Sequence, residues 1–469
     1  MSEAAGGFAR RDFALTELGI ETYDHPRSAV KYDHRGIVHQ VEFMQLTLAN
    51  HPVTDIQFGA PARLEETLLI VDPAELRRVM LEDESITTVD FDIVRPGERC
   101  RAGPIFDIIE PRAKEPGSSP DFPGILGAPA TAGMGTTHVL RGAAVSVLAE
   151  MSPDPFRSAT GRILEMSGPV VEASDYASLR HLLVIPHTKA GLPRKGVEMA
   201  YRIAGIRVAV ALARVASKQP AESLHQFEPV GPAEGGREGL PRVAYVGQIF
   251  SRQRKPAVDE PILYGANTDG MLPIMLHPDE WLDGAIVPSL HSWFGGTETY
   301  FYQNQPIILD LYRRHHAREI NFVGTVATIA GSDNFDRERH CRAAANLVKW
   351  NLKADGAVLS KYGGGLPHAD LAETARLLEG MGIRTAVMVS DVSRDRRVES
   401  ALLFNVPEVD AIVYNGGNGT HWEIPHLDRI IAATPEFSRM LAGPMTVDAS
   451  SIVGVTNQQG ASRMRAVVY

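Results

Sequence analysis

Residues 320–330 read INFVGTVATIA, an almost uninterrupted apolar run that is followed by the polar residues GSDN (331–334). Other short apolar runs share the C-terminal half of the chain, and they are RVAYVGQIF (242–250), GAVLSKYGGG (356–365), TAVMVSD (385–391) and DAIVYNGGNG (410–419). Helical patterns separate several of these runs, at 336–353, 368–382 and 395–405. Apolar strands that alternate with helices are typical of a parallel sheet covered on both faces.

The N-terminal half is predicted to mix short strands with helices. Residues 67–98 read strand, helix, strand, with Asp72 as helix N-cap and Pro73 at the first helical position. The periodicity of 196–217 predicts a long helix, and PVGPAEGGREGLP (229–241) has the composition of a linker. We therefore predict an α/β protein with an N-terminal arm at 1–50, a mixed α+β domain at 51–228, a linker at 229–241 and a doubly wound, parallel-sheet domain at 242–469.

Size, charge and cysteine content exclude several classes of protein. A chain of 469 residues exceeds the usual size of one core, which predicts more than one domain. The net charge of −10 and the absence of a clustered basic face argue against nucleic-acid binding. There is no apolar run of about 18 residues, so no membrane span is expected. The N-terminus has no apolar signal region and the chain has two cysteines, which favours a reduced, cytoplasmic protein.

The strand ends supply the candidate binding residues, because ligands of parallel sheets bind outside the carboxyl ends of the strands. KYGGGLPHADL (361–371) is a Gly-rich turn before a helix, whose N-terminus attracts anions. A tight β–α turn explains the same residues, so both interpretations stay open. No dinucleotide fingerprint is present, and NAD is not predicted. The candidate substrate-binding residues are Gly364, His368, Asp370, Asp391, Asn415, Asn418 and His421.

Neither the histidines nor the cysteines predict a metal site. His315 and His316 are neighbours on a predicted helix, so their side chains diverge. Cys100 and Cys341 are too few for a cysteine-rich zinc site. A helical cysteine such as Cys341 is either a small buried hydrophobe or, if exposed beside arginines, a reactive thiol.

Many motifs in one order resemble the component B proproteins of glycine, sarcosine and betaine reductases, with the D-proline reductase proprotein as a more distant relative. The resemblance covers nearly everything from about residue 50 to the C-terminus. It is carried by TDIQFGAPARLEETLLIVD, VDFDIVRPGERCR, DIIEPRAKEPG, FPGILGAP, LRGAAV, EMSGP, RIAGIRVAVALA, LPRVAYVGQIF, YGANTDGMLPIMLHPDEWLDGAIV, REINFVGT, DGAVLSKYGGGLPHADL, DAIVYNGGNGTHWEIPHLDRII and SIVGVTNQQGASR.

The resemblance implies a specific chemistry. Proproteins of this family cleave themselves before an internal Cys, which becomes a pyruvoyl group, and the two fragments stay together. The pyruvoyl carbonyl binds the substrate amine as a Schiff base. The selenolate of a partner subunit then attacks the α-carbon and releases the amine, and an imine makes that nitrogen a better leaving group.

This chain departs from the family at the cleavage position. The stretch GAIVPSLHSWFGGTETYFYQNQP (284–306) contains no Cys, and His291 stands at the aligned position with Ser292 beside it. Serine forms pyruvoyl groups in other enzymes, which leaves Ser292 or Ser289 as an alternative precursor. Because the local pattern differs, we expect no self-cleavage and no cofactor.

Two functions remain open at this point. The first is an oxidoreductase subunit that is active in a complex with a thiol- or selenol-bearing partner, is itself oligomeric, and cleaves a C–N bond of a small amino acid or betaine-like amine. Its candidate catalytic residues are His291, Ser292 and Ser289, since a neutral histidine is suited to acid–base catalysis. The second is a non-reductive descendant, either a binding or scaffold subunit or a lyase or hydrolase that reuses the pocket, because a shared fold does not determine function.

Overall fold

The computed structural model describes residues 22–23, 30–32, 38–40, 44–150, 162–231, 237–250, 260–290, 298–331, 333–362, 365–391, 406–417, 420–457, 459 and 467–468. The chain divides into two compact units, residues 1–44 and 45–469. The first unit contains β1 (Thr22–Tyr23), β2 (Val30–Tyr32) and β3 (Val38–Gln40), which form an antiparallel sheet.

The second unit contains the other described elements. Its strands are β4 (Leu46–Pro52), β5 (Asp55–Phe58), β6 (Arg63–Glu65), β7 (Leu68–Val71), β8 (Ile86–Val94), β9 (Cys100–Ala102), β10 (Ile105–Ile109), β11 (Arg112–Lys114), β12 (Gly135–Arg141), β13 (Ala143–Leu148), β14 (Leu164–Glu165), β15 (Arg180–Thr188), β16 (Ser223–Gln226), β17 (Arg242–Phe250), β18 (Ile274–Leu276), β19 (Asn321–Ile329), β20 (Gly356–Ser360), β21 (Arg384–Asp391), β22 (Ala411–Gly417), β23 (His421–Ile424), β24 (Arg429–Ile431), β25 (Met445–Asp448) and β26 (Val467–Val468). Its α-helices are α1 (Pro73–Met80), α2 (Arg194–Ala216), α3 (Pro278–Leu282), α4 (Thr299–Gln303), α5 (Pro306–His316), α6 (Asn334–Asn346), α7 (Leu366–Gly380) and α8 (Pro435–Ala442), and a π-helical turn, Leu347–Asn351, extends α6.

The helix signals in the N-terminal half are confirmed. The carboxylate of Asp72 accepts a hydrogen bond of 2.9 Å from the backbone N–H of Ala74, and α1 begins at Pro73. The predicted long helix is α2, which runs from 194 to 216. Its Gly205 faces a strand so closely that a Cβ there would lie 2.5 Å from Cγ2 of Val147. The helix predicted at 395–405 lies outside the described residues.

The N-terminal half of the second unit is built on two four-stranded sheets. Their strand orders are β10-β13-β15-β8 and β11-β12-β4-β16, and both contain parallel and antiparallel pairs. Apolar residues of α2 pack with those of α1 and these strands in one core cluster. Smaller sheets, β5-β7-β6 and β14-β9-β24, complete this region.

A seven-stranded sheet organises the C-terminal half, in the order β18-β19-β17-β20-β21-β22-β26. The five central strands are parallel, and the two edge strands are antiparallel to their neighbours. Successive residues of β17 enter different core clusters, with Tyr245 in one and Ala244 and Val246 in another, so both faces are buried. The predicted mixed α/β class is therefore confirmed.

Helices of the described part of the chain do not have the length and apolarity that a membrane crossing requires.

Candidate functional site

The carboxyl ends of the five central parallel strands meet at one edge of the large sheet. The register places Gly247 of β17 opposite both Ala327 of β19 and Ser360 of β20. On the other side of β20, Asp391 of β21 is opposite Gly417 of β22. The residues that follow these strands therefore lie along the edge where parallel sheets bind ligands.

Gln248 is the centre of a hydrogen-bond network at this edge, although the sequence motifs did not predict it as a site residue. The side chain is 3% exposed. Its amide nitrogen donates to the carbonyl of Pro367 over 3.2 Å, and its amide oxygen accepts from the N–H of Tyr362 over 3.3 Å. The side chain of Gln459 in turn donates to the Gln248 carbonyl over 2.5 Å. The signal in the sequence was a glutamine inside the mostly apolar run RVAYVGQIF, because a buried side-chain amide needs hydrogen-bond partners.

Two basic side chains lie beside this network, Lys361 directly after β20 and His368 in the first turn of α7. Lys361 is only 2% exposed, and burial lowers the pKa of its amine to about 8. Burial lowers the pKa of His368 to about 4, with a further contribution from the charge of Lys361. Both groups therefore lose their proton at a lower pH than they would in water. His368 was a sequence-predicted site residue, whereas Lys361 was not singled out.

Asp370, also on α7, joins two elements of the edge. One carboxylate oxygen accepts from the N–H of Gly331 over 2.6 Å, and the other accepts from the guanidinium of Arg337 over 2.9 Å. Burial raises the pKa of this carboxyl group, which these hydrogen bonds oppose. The structure thus places the predicted residues His368 and Asp370 in the first turns of one helix, where Asp370 contacts the turn after β19.

Ser289 lies on the segment that follows α3, and it contacts a carboxylate that sequence reasoning missed. Its hydroxyl donates a hydrogen bond of 2.5 Å to a carboxylate oxygen of Glu260. The same Glu260 oxygen accepts a hydrogen bond of 2.7 Å from the N–H of Leu290. Both side chains are buried. Two backbone hydrogen bonds, from the N–H of Val287 to Ile262 and from the N–H of Tyr264 to Ala285, hold the two segments side by side. No sequence motif links residues 29 positions apart in this way.

The segment 291–297 is outside the described residues, but the chain directly after it is firmly anchored. The buried Glu298 forms an ion pair with the half-buried Arg162 and accepts a hydrogen bond of 3.1 Å from the hydroxyl of Tyr176. The N–H and the hydroxyl of Thr299 each donate to Asp107 over 2.8 Å, and Arg202 pairs with the same carboxylate. Side chains of the N-terminal half therefore hold the start of α4.

The other predicted site residues fall in three places. His421 begins β23, where its Nδ1 lies 2.6 Å from a carboxylate oxygen of Asp448 on the paired strand β25, and its side chain is exposed. Asp391 ends β21 and Asn415 lies within β22, but their side chains are outside the described residues. The residues His291, Ser292, Gly364 and Asn418 lie wholly outside the described part of the chain.

The residues present do not suit a cysteine-derived pyruvoyl group. Cys100 lies in β9 and Cys341 in α6, and both are buried. Burial raises the pKa of each thiol to about 12. Neither is in the stretch 284–306, so neither can be the precursor there. In the described residues, no group of three or more His, Cys, Asp or Glu side chains is arranged to hold a metal ion.

Comparison with known proteins agrees with the motif order. A model of the glycine/sarcosine/betaine reductase component B subunits matches residues 44–464. The chain is 30% identical to the glycine reductase complex component B subunits alpha and beta of Acetoanaerobium sticklandii, over 91% of this chain and 100% of that protein. It is 27% identical to the sarcosine reductase complex component B subunit alpha of Peptoclostridium acidaminophilum, over 85% of this chain and 92% of that protein.

The betaine reductase complex component B subunit alpha of the same organism is also 27% identical, over 84% of this chain and 89% of that protein. No solved structure matches the chain significantly. A match over most of the chain, extending along the full length of a relative, shows common descent and not a shared motif alone. The chain therefore belongs to the family of glycine/sarcosine/betaine reductase component B subunits.

Proposed function

We propose that this chain is the substrate-binding subunit of a reductase complex that cleaves a C–N bond in a small amino acid or a betaine-like amine. A partner subunit supplies the thiol or selenol that attacks carbon. The observation that supports this most directly is the match to component B subunits along residues 44–464. The relatives that cover the chain are components of glycine, sarcosine and betaine reductase complexes.

The proposed reaction proceeds without a cysteine-derived carbonyl. The substrate itself then supplies a good leaving group, as a quaternary amine does. Its nitrogen leaves the carbon as a neutral amine and does not have to take up a proton first. His291 and Ser292 bind and orient the substrate, with His291 as acid–base group, since the reference pKa of histidine is about 6.5. Ser289 positions the start of this segment through Glu260. The strand-end residues, above all His368 and Asp370, line the pocket.

The experiment begins with the intact mass of the denatured protein. A single species near 51.1 kDa is expected; two fragments that meet near residue 291, the second with a blocked and carbonyl-reactive N-terminus, would overturn the absence of a pyruvoyl group. The tagged full-length chain is then purified with its partners from its own cells. Release of ammonia, methylamine or trimethylamine from glycine, sarcosine or betaine is measured with a dithiol as reductant.

We expect amine release to need both the chain and its thiol-bearing partner, and His291→Gln to abolish it while an exposed-surface control, His426→Gln, leaves it unchanged. The absence of Cys in 284–306 also favours a second candidate, a non-reductive descendant that uses the same pocket. Full turnover by the isolated chain, or no amine release by the intact complex, would favour that candidate over the reductase.

A further inference from the structure

Lys361 is an unusual residue for its position, because lysine is almost never fully buried in proteins. It follows Ser360, the last residue of β20, and is 2% exposed. Both of its chain neighbours form buried hydrogen bonds: the hydroxyl of Ser360 lies 2.7 Å from that of Tyr245, and the backbone N–H of Tyr362 donates to the side chain of Gln248. The lysine therefore lies at a buried strand end and not on an exposed turn.

The position of Lys361 coincides with the edge where ligands of parallel sheets bind. Gln248 connects the turn that carries Lys361 to the first turn of α7, where His368 lies. His368 is close enough to Lys361 that the charge of the lysine depresses the pKa of the imidazole. A buried amine, a neutral imidazole and a buried amide thus share one corner of the sheet edge.

A buried lysine beside a second basic group is the arrangement that makes an amine nucleophilic near neutral pH. Burial disfavours the ammonium form, and the pKa of about 8 leaves an appreciable neutral fraction at pH 7–8. An exposed surface lysine, such as Lys218 just after α2, has no such environment.

We propose that Lys361 is a covalent binding site for small carbonyl compounds, aldehydes or 2-oxo acids, with which it forms an imine. This inference goes beyond the proposed amine-releasing function and does not depend on it. The neutral Nζ adds its lone pair to the carbonyl carbon, and the carbonyl oxygen takes up a proton to give a carbinolamine. The hydroxyl group takes up a second proton, from solvent, and leaves as water, so that a protonated imine remains. The neutral imidazole of His368 accepts and returns the proton that moves from nitrogen to oxygen.

The near-complete burial of Lys361 restricts the ligand to a small molecule. No redox partner is needed, because imine formation only exchanges a C=O bond for a C=N bond with loss of water. The imine carbon is an electron sink for cleavage or proton loss at the adjacent carbon. Lys361 therefore provides an electrophilic activation in which the protein supplies the amine and the ligand supplies the carbonyl.

The test is reductive trapping on the full-length wild-type chain. The protein is incubated with pyruvate and sodium cyanoborohydride, which converts an imine to a stable secondary amine, and the modified residue is identified by peptide mass spectrometry. We expect one adduct per chain, on Lys361, at least tenfold above Lys218. Labelling should rise with pH with a midpoint near 8.

Lys361→Arg keeps a cation but cannot form an imine, and it should lose the adduct, whereas Lys218→Arg should retain it. The mapping on the wild-type chain decides the question even if Lys361→Arg does not fold. Labelling confined to exposed lysines, or equal on Lys361 and Lys218, would overturn the proposal. Because the assay needs no partner and measures no amine release, its outcome is separate from that of the reductase test.

Discussion

The hydroxyl of Ser289 donates a hydrogen bond of 2.5 Å to Glu260, and both groups are buried. The same carboxylate oxygen accepts from the N–H of Leu290, directly before the segment 291–297. On the far side of that segment, the buried Glu298 pairs with Arg162, and Thr299 donates to the buried Asp107. Buried carboxylates therefore bind the chain on both sides of the segment 291–297.

Glu260→Ala removes the acceptor of two buried donors. We expect the free energy of unfolding to fall by about 1–3 kcal/mol, because unsatisfied buried polar groups keep their desolvation cost. Ser289→Ala should cost less, about 0.5–1.5 kcal/mol. Urea denaturation followed by circular dichroism measures both. The control is Ser178→Ala, because the exposed Ser178 donates only to a local carbonyl. If Glu260→Ala loses no more free energy of unfolding than this control, the buried pair does not stabilise the fold.

Asp107→Ala should destabilise the chain much more than the loss of a surface ion pair. Asp107 is buried and holds Arg202 and Thr299, so its removal leaves an uncompensated buried guanidinium, at a cost of about 3–5 kcal/mol. Asp310→Ala is the matched control, since Asp310 pairs with Arg313 and Arg314 on the exposed face of α5. We expect about 0–1 kcal/mol for it. Equal losses in urea denaturation would contradict this account.

Asp279 should make the stability depend on pH. Burial raises the pKa of this carboxyl group to about 7, while the hydroxyl of Tyr312 and the N–H of Leu46 donate to it. The folded state therefore binds the proton more tightly than the unfolded state, in which the pKa is about 3.9. Protonation of Asp279 therefore contributes fully to the free energy of unfolding below about pH 4, and this contribution is lost as the pH rises through about 7.

Asp279→Asn removes the titrating group, so the variant should lose less stability than the wild type between pH 5 and pH 8. The measurement is the urea midpoint at each pH. Asp428→Asn, at a fully exposed position, is the control and should follow the wild type. A parallel pH profile for Asp279→Asn and the wild type would show that Asp279 titrates normally.

Gly265→Ala should destabilise the fold through a close backbone approach, in addition to the strain of its positive φ. A Cβ there would lie 2.0 Å from the carbonyl oxygen of Gly124, at a φ of +75°. Gly239 has a similar φ of +83° but nothing within 4 Å of a Cβ. Gly239→Ala should cost about 1–2 kcal/mol for the left-handed conformation, and Gly265→Ala should cost about 1–3 kcal/mol more from overpacking. Equal melting temperatures for the two variants would contradict the close approach.

The local features of the fold could be predicted from sequence because they depend on neighbouring residues. Asp72 and Pro73 specify the start of α1 through donors one turn away, and the apolar run at 320–330 predicts β19, which is buried throughout. The order of the motifs along the chain identified the family. These signals need no knowledge of what packs against them.

The candidate site divides between the two kinds of information. His368 and Asp370 were predicted from their positions in a polar turn after a strand, and Ser289 was predicted from its position in the stretch 284–306. Their partners could not be predicted. Gln248 meets Pro367 across 119 positions of the chain, and Glu260 meets Ser289 across 29.

By itself, the sequence determined the α/β class, the capped and periodic helices, the family and the absence of a cysteine from 284–306. Only the tertiary structure decided that Lys361 is buried beside His368, that Gln248 joins two turns, and that a carboxylate holds Ser289. The physical reason is that burial and hydrogen bonding belong to the space around a side chain. In a parallel sheet that space is filled by residues from crossover connections far away in the chain.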